Sequence, residues 1–246
     1  MSNPVETGTP ACEETSAAMV DPMQVQLRFL TTADLDTVKV QCQEWFPIEY
    51  PDSWYQDITS NNGKYFSLAA VHRGRIIGVV VAQTKALNSC RQEDQEILSA
   101  KFPLHSQVTY ILVLGVCRDH RRSGIASLLV NSLLEFLRTE PAQDTSSKSR
   151  AVFLHVLSEN MAAINFYTRR GFVLHSYLPQ YYEVRGMARD GYCYVRYIND
   201  GYAPFSGFDR LYHWVVRRIS FVASVLCHVP ILILKRWRKI ARRMLT

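Results

Sequence analysis

The chain has 246 residues, 48% hydrophobic and 20% charged, with a formal net charge of +6. That composition excludes a wholly disordered or collagen-like chain and fits one domain of about 150–200 residues with appendages. The six cysteines (Cys12, Cys42, Cys90, Cys117, Cys193, Cys227) show no CxxC pair and no paired histidine spacing, which removes a structural zinc site. Without a secretory signal pattern they are expected to be reduced thiols. The charge is uneven. Residues 205–246 hold nine Lys or Arg against Asp209 alone, a balance of +8, so residues 1–204 carry −2. Basicity belongs to the tail.

Residues 1–22 contain Glu6, Glu13, Glu14 and Asp21 among Pro, Thr, Ser and small residues, and are expected to be a disordered acidic leader. Residues 23–204 form the body. Residues 25–30 alternate as a strand; Thr31 or Thr32 then caps a helix carrying Leu35, Val38, Cys42 and Trp45, which Pro47 stops. A second short helix starts near Asp52. Residues 66–71 and 76–84 read as a hairpin turning at His72-Arg73-Gly74-Arg75. Residues 85–102 are a polar loop with a helical turn near 93–99 and carry no chemical signal. A strand (108–116), a basic turn, a long amphipathic helix (124–138), a linker (141–149), a strand (151–157) and a helix (161–170) ended by Gly171 follow. Two strands (173–177, 192–198) enclose a tyrosine-rich loop, 178–190. The order β-α-α-β-β-β-α-β-α-β-β makes a mixed α/β (α+β) layer, largely antiparallel in its first half.

The sharpest motif is Arg121-Arg122-Ser123-Gly124-Ile125-Ala126, set after an apolar strand and opening a helix. Unpaired N–H groups, the helix dipole and two arginines suit a pyrophosphate, while Gly124 and Ala126 leave room for its approach. A basic turn that only caps a helix remains the plain alternative. It matches neither a P-loop nor a three-glycine dinucleotide fingerprint. With Leu114-Gly115-Val116 before it and Asn160-x-x-Ala163-Ile164-x-Phe166-Tyr167-x-x-x-Gly171-Phe172 after it, the body resembles the GNAT superfamily of acetyl-CoA-dependent N-acetyltransferases. The resemblance spans about residues 25–199. The stretch from Trp45 to Tyr55 and Tyr177-Leu178-Pro179-x-Tyr181-Tyr182 are similar to the NatF group of Golgi-associated protein N-terminal acetyltransferases. Gln180 stands where that pattern has another tyrosine, and the leader is longer here.

The resemblance implies a GNAT fold, a mixed and mostly antiparallel sheet splayed at the acetyl-CoA site and flanked by helices. It implies acetyl-CoA as co-substrate, no metal, and direct attack in a ternary complex. The residues it would place on coenzyme A are Leu114, Gly115, Val116, Arg121, Arg122, Ser123, Gly124, Ile125, Ala126, Ser127, Asn160, Tyr167 and Arg170. Asn160 could equally be a helix cap and Tyr167 a core aromatic. Tyr110 and His155 are the implied bases acting through water. An imidazole titrates near 6.5 and suits the task better than a phenol near 10. A strand histidine satisfied by the backbone, or an ordinary strand tyrosine, is the alternative. The backbone around Leu112–Leu114 would supply oxyanion donors. Glu49, Tyr50, Leu112, Tyr181 and Tyr182 would line the peptide, unless the tyrosines are sheet packing.

In the tail, Phe208, Leu211, Val215, Ile219 and Val222 share one helical face. Beyond Pro230, Leu234, Trp237 and Ala241 oppose Lys235, Arg236, Lys239, Arg242 and Arg243. Two basic amphipathic helices suit a membrane surface, whereas the apolar run 219–234 is too short and too interrupted to span one. The expected setting is the cytosolic face of the Golgi or a related membrane, held peripherally. Protein N-termini are the expected substrates and no nucleic acid the expected partner. A monomer or a weak homodimer is the expected state. Lysine or histone acetylation, and an idle GNAT body serving as a membrane adaptor, are the rival readings.

Overall fold

The computed structural model describes residues 25–46, 50–60, 62–140 and 148–204. The leader to residue 24, Glu49, most of the linker and the tail lie outside the described residues. The chain builds β1 (Gln26–Phe29), α1 (Leu35–Trp45), α2 (Asp52–Thr59), β2 (Phe66–His72), β3 (Arg75–Ala86), β4 (Gln107–Val116), α3 (Ile125–Thr139), β5 (Ala151–Leu157), α4 (Met161–Thr168), β6 (Val173–Val184) and β7 (Met187–Tyr197). This is the order read from the sequence. The strands form one sheet, β1-β2-β3-β4-β5-β7-β6.

All neighbours pair antiparallel except β4 and β5, which run parallel and touch only at Thr109↔Val152 and Tyr110↔Phe153. Beyond Tyr110 the two strands part, so the sheet is splayed there. A bulge prepares the parting. Ala82 pairs Ile111 and Val81 pairs Val113, leaving Leu112 as the extra residue. A bulge sharpens twist and takes a residue out of the ladder.

Both sheet faces are covered. The apolar stripe of α3 (Ile125, Leu129, Leu133, Leu137) packs with Val80, Ala82, Ile111 and Leu154, and α4 extends this core through Ile164 and Tyr167. Each such leucine contributes about 1.5–3 kcal/mol on burial. On the other face, Val38, Cys42, Tyr55 and Ile58 of α1 and α2 cover Val79, Val81 and Val113. The rest of that face is covered by the segment 87–102. Leu87, Ile97 and Leu98 are buried on Val108, Ala151, Phe153, Cys193 and Val195, and Tyr197 Oη donates to the Ile97 carbonyl at 3.1 Å. The segment expected to be a polar loop is thus a buried cover with short turns at Leu87–Ser89 and Gln92–Asp94.

The last hairpin also differs from expectation. The tyrosine-rich stretch is strand, with β6 and β7 meeting at Arg185-Gly186. Pro179 and Gln180 had read as loop, but a register shift between Leu178 and Tyr182 absorbs them. Asp190 fixes that shift by accepting from the Gln180 backbone N–H at 2.9 Å and from Tyr177 Oη at 2.6 Å. Aromatic side chains favour strands, and here that preference prevails over the proline.

Candidate active site

Alternation along β5 puts Ala151, Phe153 and His155 on the face covered by residues 87–102, with Leu154 and Val156 opposite. His155 is held at both ring nitrogens. Its Nε2 lies 2.8 Å from Asp94 Oδ1, and the two side chains are only 2% and 3% exposed. Its Nδ1 lies 2.8 Å from Tyr181 Oη and 3.2 Å from Tyr110 Oη. A carboxylate can only accept, so the hydrogen sits on Nε2 and the Nδ1 lone pair faces the two hydroxyls. That is an oriented base.

Tyr110 enters from β4 at the last pairing before the splay and stacks on Phe153, with ring centroids 4.9 Å apart. Burial, reinforced by Tyr181 and Tyr182 nearby, holds its phenol well above the usual range, so it works as a neutral hydroxyl. Arg91 Nη1 donates to Tyr181 Oη at 3.1 Å, leaving that hydroxyl's own hydrogen for His155. Tyr182 packs edge-on to Tyr181 at 5.1 Å, and burial pushes both phenols up. Tyr50 stacks on Trp54 at 4.3 Å and 19°, and burial raises its phenol to about 12. Tyr110, His155, Tyr181 and Tyr182 are therefore brought together. Leu112 lies at the bulge beside them. Sequence reasoning missed Asp94 and Arg91; the only signal was a carboxylate in a segment set aside as uninformative.

The arginine–glycine turn stands where β4 feeds α3. Arg122 has φ +65 and Gly124, the N-cap of α3, φ +88, which places successive backbone N–H groups toward one concavity at the positive end of a 15-residue helix. An added Cβ at Gly124 meets nothing within 4 Å; the left-handed backbone is what demands glycine. Ile125 is buried under the turn, while Ala126 and Ser127 sit in the first helical turn. Arg121 is exposed and donates through Nε to the Val116 carbonyl at 3.1 Å, and Ser123 Oγ donates to the His120 carbonyl. The turn fits a pyrophosphate through its backbone, with the arginines lending charge.

Several other expected coenzyme residues have structural work to do. Gly115 faces Trp45: a Cβ there would sit 2.1 Å from the indole, so this glycine admits α1 to the sheet. Leu114 and Val116 pack with α3. Asn160 caps α4, accepting from the Ala163 N–H at 3.1 Å. Arg170 bonds Ser127 Oγ and lies over the Phe166 ring at 3.7 Å. Tyr167 is a buried core aromatic 5.3 Å from Phe172.

The acetyltransferase (GNAT) family model matches residues 33–172. N-alpha-acetyltransferase 60 of Danio rerio is 52% identical over 190 residues, 77% of this chain and 76% of its own. The Drosophila melanogaster protein of that name is 41% identical over 238 residues, 87% of this chain and 84% of its own. Arabidopsis thaliana NAA60 in complex with acetyl-CoA superposes with a TM-score of 0.62 at 29% identity, covering 71% of this chain and 99% of that one. Matches of that length make this chain a member of the acetyltransferase (GNAT) family, similar to the N-alpha-acetyltransferase 60 proteins.

Proposed function

We infer that this chain moves the acetyl group of acetyl-CoA onto the α-amine of protein N-termini, in a ternary complex at the parted strands. The carrying observation is the linked set Tyr110, His155 and Asp94 where the strands part, with the turn at Arg122–Ala126 beyond the far end of β4. The thioester supplies an acyl group bonded to a leaving thiolate. An α-amine with a pKa near 8 arrives largely protonated, so a base is needed before attack. His155 Nδ1 accepts that proton through Tyr110 Oη or a water, and Asp94 balances the imidazolium that forms. The free amine attacks the carbonyl carbon, the C–S bond breaks, and the second amine proton passes to the departing thiolate, while His155 returns the first to solvent. Backbone N–H groups loosened at the Leu112 bulge offer donors for the developing oxyanion.

Tyr50, Tyr181 and Tyr182 would close around a flexible peptide end. This favours an N-terminus over a lysine on a folded surface, although histone-type lysine acetylation uses the same chemistry. The basic amphipathic tail supports peripheral attachment to anionic cytosolic-leaflet lipid, at the Golgi or a related membrane, and substrates with cytosol-facing N-termini there. The test is an acetylation assay with a peptide library varying the first two residues, run beside the same peptides with blocked N-termini and one internal lysine. Transfer confined to free N-termini is the expected result. Equal transfer to the lysine peptides would favour the lysine reading, and none to either would leave the adaptor reading.

A further inference from the structure

Beside His155 and Asp94 lies a buried thiol, Cys193, with no part in the acetyl transfer derived above. Cys193 of β7 is the cross-strand partner of His155. Its Sγ, the His155 ring and the Asp94 carboxylate lie within 4.8 Å of one another, and all three residues are buried or nearly so. They come from β7, β5 and the turn at Gln92–Asp94, so no sequence spacing announces them. Ser176, paired with Cys193 from the other side, points a buried hydroxyl at the thiol without completing a regular hydrogen bond. Such an underused buried polar group marks a place where a further partner is accommodated.

We propose that Asp94, His155 and Cys193 form an inhibitory zinc site that disables His155 as a base. Thiolate, imidazole and carboxylate are the donors zinc selects, at about 2.0–2.3 Å each, and closing a set this compact around an ion needs side-chain shifts of about 1 Å. Two anionic ligands and a dication also leave the buried assembly without net charge, which a low-dielectric interior requires. The fourth position falls to water or to the Ser176 hydroxyl.

The consequence follows from the tautomer. In the metal-free protein the imidazole hydrogen is on Nε2, bonded to Asp94, and the Nδ1 lone pair faces Tyr110 and Tyr181. Zinc takes the Nε2 lone pair, so the hydrogen of the neutral ring moves to Nδ1. The Cys193 thiol loses its proton to solvent, Asp94 changes from hydrogen-bond acceptor to ligand, and nothing is oxidised or reduced. One proton is released per ion bound, and Nδ1 can no longer accept one from the amine. The turn at Arg122–Ala126 is untouched, so acetyl-CoA still binds.

The metal site rests on geometry alone, whereas the kinetic effect rests on His155 acting as the base, and the two are tested separately. The full chain, without coenzyme, is titrated with Co²⁺ as a spectroscopic stand-in. A thiolate-to-cobalt charge-transfer band that Zn²⁺ abolishes is expected in the wild type and in Cys117→Ser, but not in Cys193→Ser. In the acetylation assay, Zn²⁺ should lower kcat without changing acetyl-CoA affinity, and a chelator should restore it. Cys193→Ser should keep the zinc-free rate and need at least about tenfold more Zn²⁺ for the same loss. A band that persists in Cys193→Ser, equal zinc inhibition of both proteins, or neither band nor inhibition would overturn the site. A Cys193-dependent band with undiminished kcat would overturn the switch, and the assignment of His155 as base with it.

Discussion

In the proposed reaction, Asp94 and Gly124 would set the two halves of the chemistry, each through one atom-level property. Asp94 fixes the tautomer of His155 because its oxygens, 2.8 Å away, can only accept. In Asp94→Asn the amide can donate to Nε2, which shifts the ring hydrogen to Nδ1, and the imidazolium loses its counter-charge. We expect kcat to fall by about 10²–10⁴-fold with little change in KM, as for His155→Ala. Steady-state kinetics of both variants decide it; a near-normal kcat in either means the proton leaves by another route. Gly124 sits at φ +88 with open space around the missing side chain. Gly124→Glu would strain the turn and set a carboxylate against an incoming pyrophosphate, so calorimetry should show no acetyl-CoA binding. Unchanged affinity would reduce the turn to a helix start.

Among the elements, the entry to α1 shows how a local motif anchors a sheet edge. Asp34 accepts two 2.7 Å bonds from Arg28 of β1 and further bonds from the Thr31 N–H and hydroxyl, closing a capping box before Leu35. The Arg28 guanidinium and the Thr31 donors hold the Asp34 carboxyl down at about 2, although partial burial opposes them. A depressed carboxyl stabilises the fold at pH values above its unfolded range near 4, and that contribution disappears as pH falls through about 2. Asp34→Asn should therefore cost about 1–2 kcal/mol near neutrality and flatten the loss of stability between about pH 4 and 2. Denaturant unfolding of both proteins across that range, followed by tryptophan fluorescence, provides the check. The same α1 reaches the sheet only because Gly115 leaves space for Trp45, so a glycine of the motif also fixes a helix.

At the scale of the whole molecule, the charge asymmetry sets the tail apart from the residues proposed for catalysis. The tail carries +8 and the rest −2, and each site residue derived above lies before residue 205. Among the described residues, no helix is long and apolar enough to cross a membrane. A chain ending at residue 204 should remain soluble and acetylate peptides at the full-length rate. Replacing Lys235, Arg236, Lys239, Arg242 and Arg243 with Glu should weaken flotation with anionic vesicles, each lost positive charge being worth about 1 kcal/mol at the surface. Unchanged flotation of that variant would mean the tail holds by apolar insertion, or that another surface binds lipid.

The sequence by itself determined the order of elements, the arginine–glycine turn that opens α3, the strand positions of Tyr110 and His155 and the basic charge of the tail. These depend on periodicity, glycine and local charge, which operate over a few residues. It misjudged the segment 85–102 and the hairpin 173–197. In the first, polar residues hide Leu87, Cys90, Ile97 and Leu98, whose burial has meaning only against β4, β5 and β7. In the second, whether Pro179 ends a strand or rides a bulge depends on what Asp190 bonds. Only the tertiary structure brings Asp94 to His155 across 61 residues of chain, and Cys193 to both. A hydrogen bond between buried groups depends on position in space, and folding alone decides which distant residues share a face.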